Sequence, residues 1–461
     1  LNGPPIYLKL PPVAGASRLV AALTVALAAA PVTDGAMRTE VDRLVLALAA
    51  ARHLPFRGTL AARTVTREAA EREIAIAIGV GVASAGGEVD GEILKRLGLV
   101  PAGADYGELV AKVHAPSASL GAHYDLDSTR LSVPDFIPLE NQRLALIHEI
   151  AHAIADQHFG LRDFLKMPPD TAAGGGRRLD GDAQRARLAI VEGDATLSGL
   201  ELGDPHEGFL GTHARAALAG RLRDATTLGT VPLWFGELGS FTHVDGFLFV
   251  ARSRATGPWS AVDALWADPP ASTEQVLHPE KYEACELPIA VDETTLPSLP
   301  GFGRPAGSDV LGELAVRTWL ASVLPFDIAA RAAAGWGGDR AGIYTPKSGA
   351  SPDAGAASAT LRPLAWLTVW DDAGEAEDFA RAAAQVIAAQ AIAPQAGVTA
   401  LDRRAEAVAL LFGAPAPVAP ALNEMLDGWR RRQTASRRAA TRPRHGAPPG
   451  CRRRDRAAGR G

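Results

Sequence analysis

Asn141 to Phe159 reads NQRLALIHEIAHAIADQHF, and the reading of this stretch decides the rest of the chain. Leu144, Ile147, Ala151 and Ile154 recur at three-to-four spacing, with Leu146 and Ile150 thickening the stripe, so the period predicts a helix. Within it stands His148-Glu149-Ile150-Ala151-His152. Residues four apart on a helix differ by about 40° and 6 Å, which lets both imidazoles face one point and bind a single ion. Glu149 lies about 100° around from His148 and about 60° from His152, within reach of a water in the open position of that ion. Zinc takes neutral imidazole ligands and acidifies its water, and a carboxylate can accept the proton and pass it on. The expected cofactor is one Zn2+ ion and the expected general base is Glu149.

Two residues compete for the third ligand position. His158 lies six residues after His152, the interval used where a helix turns at a glycine between them. Ala155 occupies the bend position and favours continuing the helix, which would carry His158 about 240° around from His152. Glu192 is the better candidate. It stands in RLAIVEGDA (Arg187 to Ala195), on a second expected helix over Asp182 to Leu200. An acid inside an apolar helical segment needs a compensating charge, and a metal ion is a strong one. Asp194 is the candidate to orient an imidazole from behind, with Asp156 and Asp182 as alternatives.

Working outward, Ser119 to Ile137 reads as a hairpin with its turn at Asp125 to Ser128. Its returning strand, Arg130 to Val133, is stopped by Pro134 and offers a candidate edge for pairing with an extended substrate. Upstream, Arg38 to Leu54 reads as a helix and Thr59 to Val65 as a strand. Arg67 to Ile78, Asp90 to Leu97 and Tyr106 to Val113 read as further helices. Downstream, Leu311 to Ala334 is mainly helical in pattern, Leu361 to Trp370 is a candidate strand and Ala376 to Ala391 a helix. Gly246 to Ala251 (GFLFVA) is an apolar run of open type. The expected fold is α+β and predominantly helical, with a small sheet next to the helix that carries the two histidines.

The blocks around that helix resemble a bacterial family of zincin-like, secreted-type metalloproteins. The resemblance runs through LIHEIAHAIADQHF (Leu146 to Phe159), GAHYD (Gly121 to Asp125) and VEGDA (Val191 to Ala195). It continues in PASTEQVLHPEKY (Pro270 to Tyr282) and GWGGDR (Gly335 to Arg340), and covers about residues 38–420. It implies a gluzincin-type metallopeptidase region with His148, His152 and Glu192 as zinc ligands and Glu149 as base. The implied partner is a peptide or protein substrate.

Peptide hydrolysis also needs a donor for the oxyanion of the tetrahedral intermediate. Tyr124, His123, His243, His278, Tyr282 and Arg340 are the available side chains, of which His278 and Tyr282 share a polar, turn-rich segment. Each has a plainer reading: Tyr124 packs behind the hairpin, His278 fixes the turn before Pro279, and Arg340 pairs with Asp339. Two other functions use the same residues. One is a non-catalytic peptide- or surface-binding protein on this scaffold, and the other is metal-assisted hydrolysis of an ester or a cell-wall amide.

Composition narrows the classes further. The 461 residues are 47% apolar and 21% charged, which is globular and excludes a wholly disordered chain. Cys285 and Cys451 are the only cysteines, too few for a disulfide scaffold or a Cys-rich zinc protein. Residues 430–461 hold twelve Arg against Asp455, or +11, so residues 1–429 carry -5 - 11 = -16. An acidic body argues against nucleic acid as the main partner. The basic tail reads as disordered.

The apolar run Leu19 to Ala30 follows Lys9 and Arg18, is too short to span a bilayer, and suits the core of a signal peptide. It implies a secreted, periplasmic or cell-surface location. No later stretch has the length and apolarity of a membrane span. The expected organisation is a leader or upstream segment over 1–36 and a metallopeptidase region over 37–429, with the tail following. That region divides into an N-terminal helical part (37–118), a zinc-binding core (119–203) and a mainly helical part (204–429).

Overall fold

Residues 31–73, 85–114, 121–166, 179–203, 232–347, 362–390 and 398–440 are described in a computed structural model of the chain. The candidate signal-peptide core and residues 441–461 of the basic tail lie outside them. Helix α1 (Asp34–Arg52) starts at Thr33, whose side chain accepts the Ala36 N–H, and it buries Met37, Val41, Leu44 and Leu48. After β1 (Ala61–Val65) come α2 (Ala85–Arg96) and α3 (Tyr106–His114), then the hairpin of β2 (His123–Asp125) and β3 (Arg130–Pro134). Asp125 closes its turn by accepting the Asp127 N–H and the Ser128 hydroxyl.

These three strands form a sheet in the order β1-β3-β2, with β1 parallel and β2 antiparallel to β3. The expected substrate edge at Arg130 to Val133 is therefore corrected. β3 is the middle strand with both sides paired, and the edges are β1 and β2.

Helix α4 (Arg143–Phe159) lies against this sheet. Leu146, Ile147, Ile150 and Ile154 pack with Met37, Val41 and Leu44 of α1 and with Leu131 and Val133 of β3 in one buried core. Each such side chain contributes about 1.5–3 kcal/mol, enough together to fix the rotation of α4 about its axis. Leu144, read as part of the stripe, is 55% exposed. The helix stops at Gly160 (φ +68°), whose N–H caps the Asp156 carbonyl in a left-handed conformation that suits glycine.

α5 (Leu161–Phe164) and α6 (Gly181–Gly203) follow, then α7 (Leu233–Ser240), a π-helical turn (Phe241–Asp245), α8 (Gly246–Thr256) and α9 (Trp259–Ala267). GFLFVA thus belongs to a helix. α6 and α8 meet backbone to backbone. A Cβ on Gly193 would stand 2.4 Å from the Gly246 carbonyl oxygen, and one on Gly246 would stand 2.3 Å from that of Ala189. Glycine at both positions is what allows the approach. Ala189, Ile190, Phe247 and Val250 fill the core beside the crossing.

Beyond α10 (Thr273–Leu277) and α11 (Pro279–Glu283), the chain builds a second sheet from β4 (Gly307–Asp309), β5 (Trp336–Ile343), β6 (Leu364–Trp370), β7 (Val398–Arg404) and β8 (Ala407–Ala414). Helices α12 (Gly312–Ala321), α13 (Phe326–Ala333), α14 (Ala373–Gln390) and α15 (Ala419–Ala440) accompany it. The strand order is β4-β5-β6-β8-β7, antiparallel throughout. Trp366, Trp370, Leu410 and Phe412 pack on one face with Trp319 of α12 and Phe379 of α14. Leu367, Val369, Ala409 and Leu411 pack on the other with Met425, Leu426 and Trp429 of α15.

Two expectations change here. One strand was read in residues 204–429, and the described residues of that region hold five. β8 is buried on both faces, so it reads as an unbroken apolar run instead of an alternation, and β5 (WGGDRAGI) has the glycine content of a turn. The tail does not become irregular after Trp429, because α15 runs on to Ala440 with Arg432 3.4 Å from Asp292. The whole is a mixed α+β fold in which helix dominates. Among the described residues, no helix is long and apolar enough to cross a membrane.

Candidate metal centre

α4 and α6 lie side by side and bring together the residues that were forty or more positions apart in sequence. His148 Nε2 is 3.2 Å from Glu192 Oε2, His152 Nε2 is 3.6 Å from the same oxygen, and the two Nε2 atoms are 3.1 Å apart. Ligands bonded at 2.0–2.1 Å to a tetrahedral zinc ion are about 3.3 Å from one another. The triangle of donor atoms therefore has edges that fit one such ion. Two imidazoles and a carboxylate are also the donor types zinc takes in three-ligand sites.

The electrostatics agree with a cation between these groups. Burial works against the charge on Glu192, and His152, His243 and His148 overcome it, holding the carboxyl well below the usual carboxylate range. Burial likewise opposes a charge on His152, and the Glu192 carboxylate outweighs it, raising the imidazole to about 9.

Glu149 sits at the same spot. Its Oε2 accepts the backbone N–H of Tyr124 at 2.8 Å, which fixes the carboxylate between the edge strand β2 and the imidazoles. Atoms of His148, Glu149 and His152 lie within 4.8 Å of one another. A base placed so is within one water of a metal held by the two rings.

The other candidate residues go elsewhere. α4 does not break after Ala155, and His158 faces away, with its Nε2 3.0 Å from the Pro55 carbonyl oxygen. It is not brought to the metal centre. The Tyr124 hydroxyl donates to Asp156 at 3.0 Å, so its side chain braces the hairpin against α4 while its backbone serves Glu149.

Asp194, expected to orient an imidazole, instead accepts two bonds from the Arg52 guanidinium at 2.6 and 3.1 Å and one from Trp266 Nε1 at 3.1 Å. About half a helical turn separates the roles here. Glu192 faces α4, and two residues on Asp194 faces α1. Asp182 accepts the N–H and hydroxyl of Thr273 and ties the start of α6 to α10.

His278 is engaged by Glu313 at 3.0 Å, and the Tyr282 hydroxyl donates to the Asp268 carbonyl at 2.7 Å. Both brace the segment between the helices and the second sheet, and neither reaches the centre. Arg340 donates to the Val291 carbonyl at 3.1 Å, while Asp339 accepts the N–H groups of Leu311 and Gly312 at the start of α12. The pair is not an ion pair.

His243, another residue of the oxyanion group, does reach the centre. From the π-helical turn it places Nε2 3.3 Å from Glu192 Oε2. Its sequence neighbourhood carries no motif. The signal that brings it there is the glycine pair at 193 and 246, legible only once the two helices are known to cross.

A family model described as a domain of unknown function (DUF8575) matches residues 299–416. That stretch holds the five-stranded sheet and none of His148, Glu149, His152, Glu192 or His243. No curated protein matches the chain, and no solved structure does.

Proposed function

We propose that this chain is a zinc-dependent peptidase of the zincin-like, gluzincin type, with His148, His152 and Glu192 holding the ion and Glu149 acting as general base. The observation that carries the reading is the triangle of Nε2, Nε2 and Oε2 atoms with edges of 3.1, 3.2 and 3.6 Å, beside a carboxylate fixed by a backbone N–H. A zinc ion held there would polarise a carbonyl and acidify a water.

The chain's own residues supply the rest. Glu149, held by the Tyr124 N–H, takes the proton of the attacking water and returns it to the leaving amine. β2 is the sheet edge next to Glu149, and an extended peptide laid along it would bring its backbone to the base. The small three-stranded sheet beside α4 agrees with the sheet expected next to that helix.

Glu149→Gln separates chemistry from binding, because it keeps the side chain's size and removes its basicity. Zinc content is expected to stay at one ion while cleavage of a mixed peptide library falls by about 100-fold or more. A variant that cleaves as well as the unchanged protein refutes the assignment of the base. Zinc-loaded unchanged protein with no turnover on any peptide removes the peptidase reading and leaves the binding one.

A further inference from the structure

We propose that His243 is a fourth, displaceable protein ligand, which caps the metal in the resting protein and must swing out before water or substrate can enter. The inference rests on the three-ligand centre described above and concerns how that centre is opened.

Geometry comes first. His243 Nε2 is 3.3 Å from Glu192 Oε2, the separation expected between two ligands of one tetrahedral ion. One ligand atom from each of His148, Glu192 and His243 lies within 4.8 Å of the others.

The partners of the ring then suit ligation through Nε2. Nδ1 lies 2.9 Å from the Thr242 hydroxyl and 3.2 Å from the Gly239 carbonyl oxygen, and a ring that ligates through Nε2 carries its proton on Nδ1, where that carbonyl accepts it. Nε2 then presents its lone pair towards the centre. Metal-bound imidazoles are held this way, with the far nitrogen donating to a carbonyl. A neutral ring in this tautomer ligates through Nε2 and has no proton there to give to an oxyanion.

His243 differs from the other three ligands in being easy to remove. Its side chain is 46% exposed, against 19% for His148, 11% for His152 and 18% for Glu192. Its ring centroid is 6.1 Å from that of His148, while the His148 and His152 centroids are 4.6 Å apart. It also stands on a π-helical turn, where the Gly246 N–H reaches back five residues to the Phe241 carbonyl. Such turns are uncommon and concentrate at functional sites. Withdrawing this ring opens no core, whereas moving any of the other three would disturb α4 or α6. Four protein ligands complete a tetrahedral sphere, and catalysis needs one position vacant.

The test uses the full chain loaded with Co2+ in place of zinc, so that the visible d–d bands report coordination, with azide as the probe ligand. The inference predicts that azide changes the spectrum of His243→Ala at concentrations at least 10-fold below those that affect the unchanged protein. It also predicts that the variant binds Co2+ at least 10-fold more weakly. X-ray absorption on the zinc-loaded unchanged protein should count three imidazoles. Two imidazoles, or equal azide sensitivity in both proteins, overturn the capping role and leave the three-ligand centre standing. Unchanged protein that takes up neither Co2+ nor zinc overturns the centre itself, and the capping role with it.

Discussion

Replacing Asp194 by Ala removes one half of a buried ion pair, and the structure sets the size of the loss. The Arg52 and Asp194 side chains are 2% and 3% exposed, and two bonds join them. Breaking such a pair from one side costs about 3–5 kcal/mol, because the remaining charge stays buried without its partner. Arg52 would keep Asp263 at 3.0 Å and the Ser198 hydroxyl at 3.0 Å, and its guanidinium lies 4.2 Å from the ring centre of Trp259. Those contacts place the expected loss at the lower end, about 3 kcal/mol.

The assay is urea unfolding of metal-free protein followed by tryptophan fluorescence. With a slope near 3 kcal/mol per molar, the midpoint falls by about 1 M. Replacing both partners, as Arg52→Met with Asp194→Leu, should recover part of the loss, since the buried pair is gone and the carboxylate left without Arg52, Asp263, is 24% exposed. The opposite pattern would refute the reasoning: an unchanged midpoint in Asp194→Ala together with zinc affinity lowered 10- to 100-fold. That would mean Asp194 orients a ligand after all.

Protons and metal compete for the same atoms. His152 stands at about 9 in the metal-free protein against an ordinary 6.5. The charged ring therefore stabilises metal-free protein fully below pH 6.5, and that stability is lost as the pH rises through about 9. Over the same window, isothermal titration should show zinc affinity climbing with pH, by up to about tenfold per unit for each proton displaced. Gly193→Ala puts a methyl group 2.4 Å from the Gly246 carbonyl oxygen and should cost about 1–3 kcal/mol in urea unfolding. The displacement falls on α8 and the π-helical turn, so zinc uptake should survive while the Co2+ spectrum moves towards that of His243→Ala.

The amino-acid pattern made the centre more legible than the fold. His148, Glu149 and His152 are close in sequence and share a helix, so helical geometry alone places them together. Glu192 was readable because an acid in an apolar helix demands an explanation. Asp194 was not, since which side of a helix faces which neighbour depends on α1, which lies far off in sequence. His243 needed the crossing of α6 and α8.

The small sheet was foreseen through the turn residues of its hairpin, but its order was not. Nothing local to Arg130–Pro134 records that β1, from 69 residues earlier, takes its outer side. The large sheet was mostly hidden, because strands buried on both faces lose the period of two on which recognition depends. The helical continuation to Ala440 was masked by its arginines, which mark a tail by composition while α15 buries Met425, Leu426 and Trp429 before them.

Zinc stoichiometry of purified unchanged protein beside His148→Ala, Glu192→Ala and His158→Ala tests the central claim most directly. The arrangement of α4 and α6 predicts one ion in the unchanged protein and in His158→Ala, and none retained through dialysis in the other two. An unchanged protein that takes up no zinc, or a His158→Ala variant that loses it while Glu192→Ala keeps it, would contradict the account.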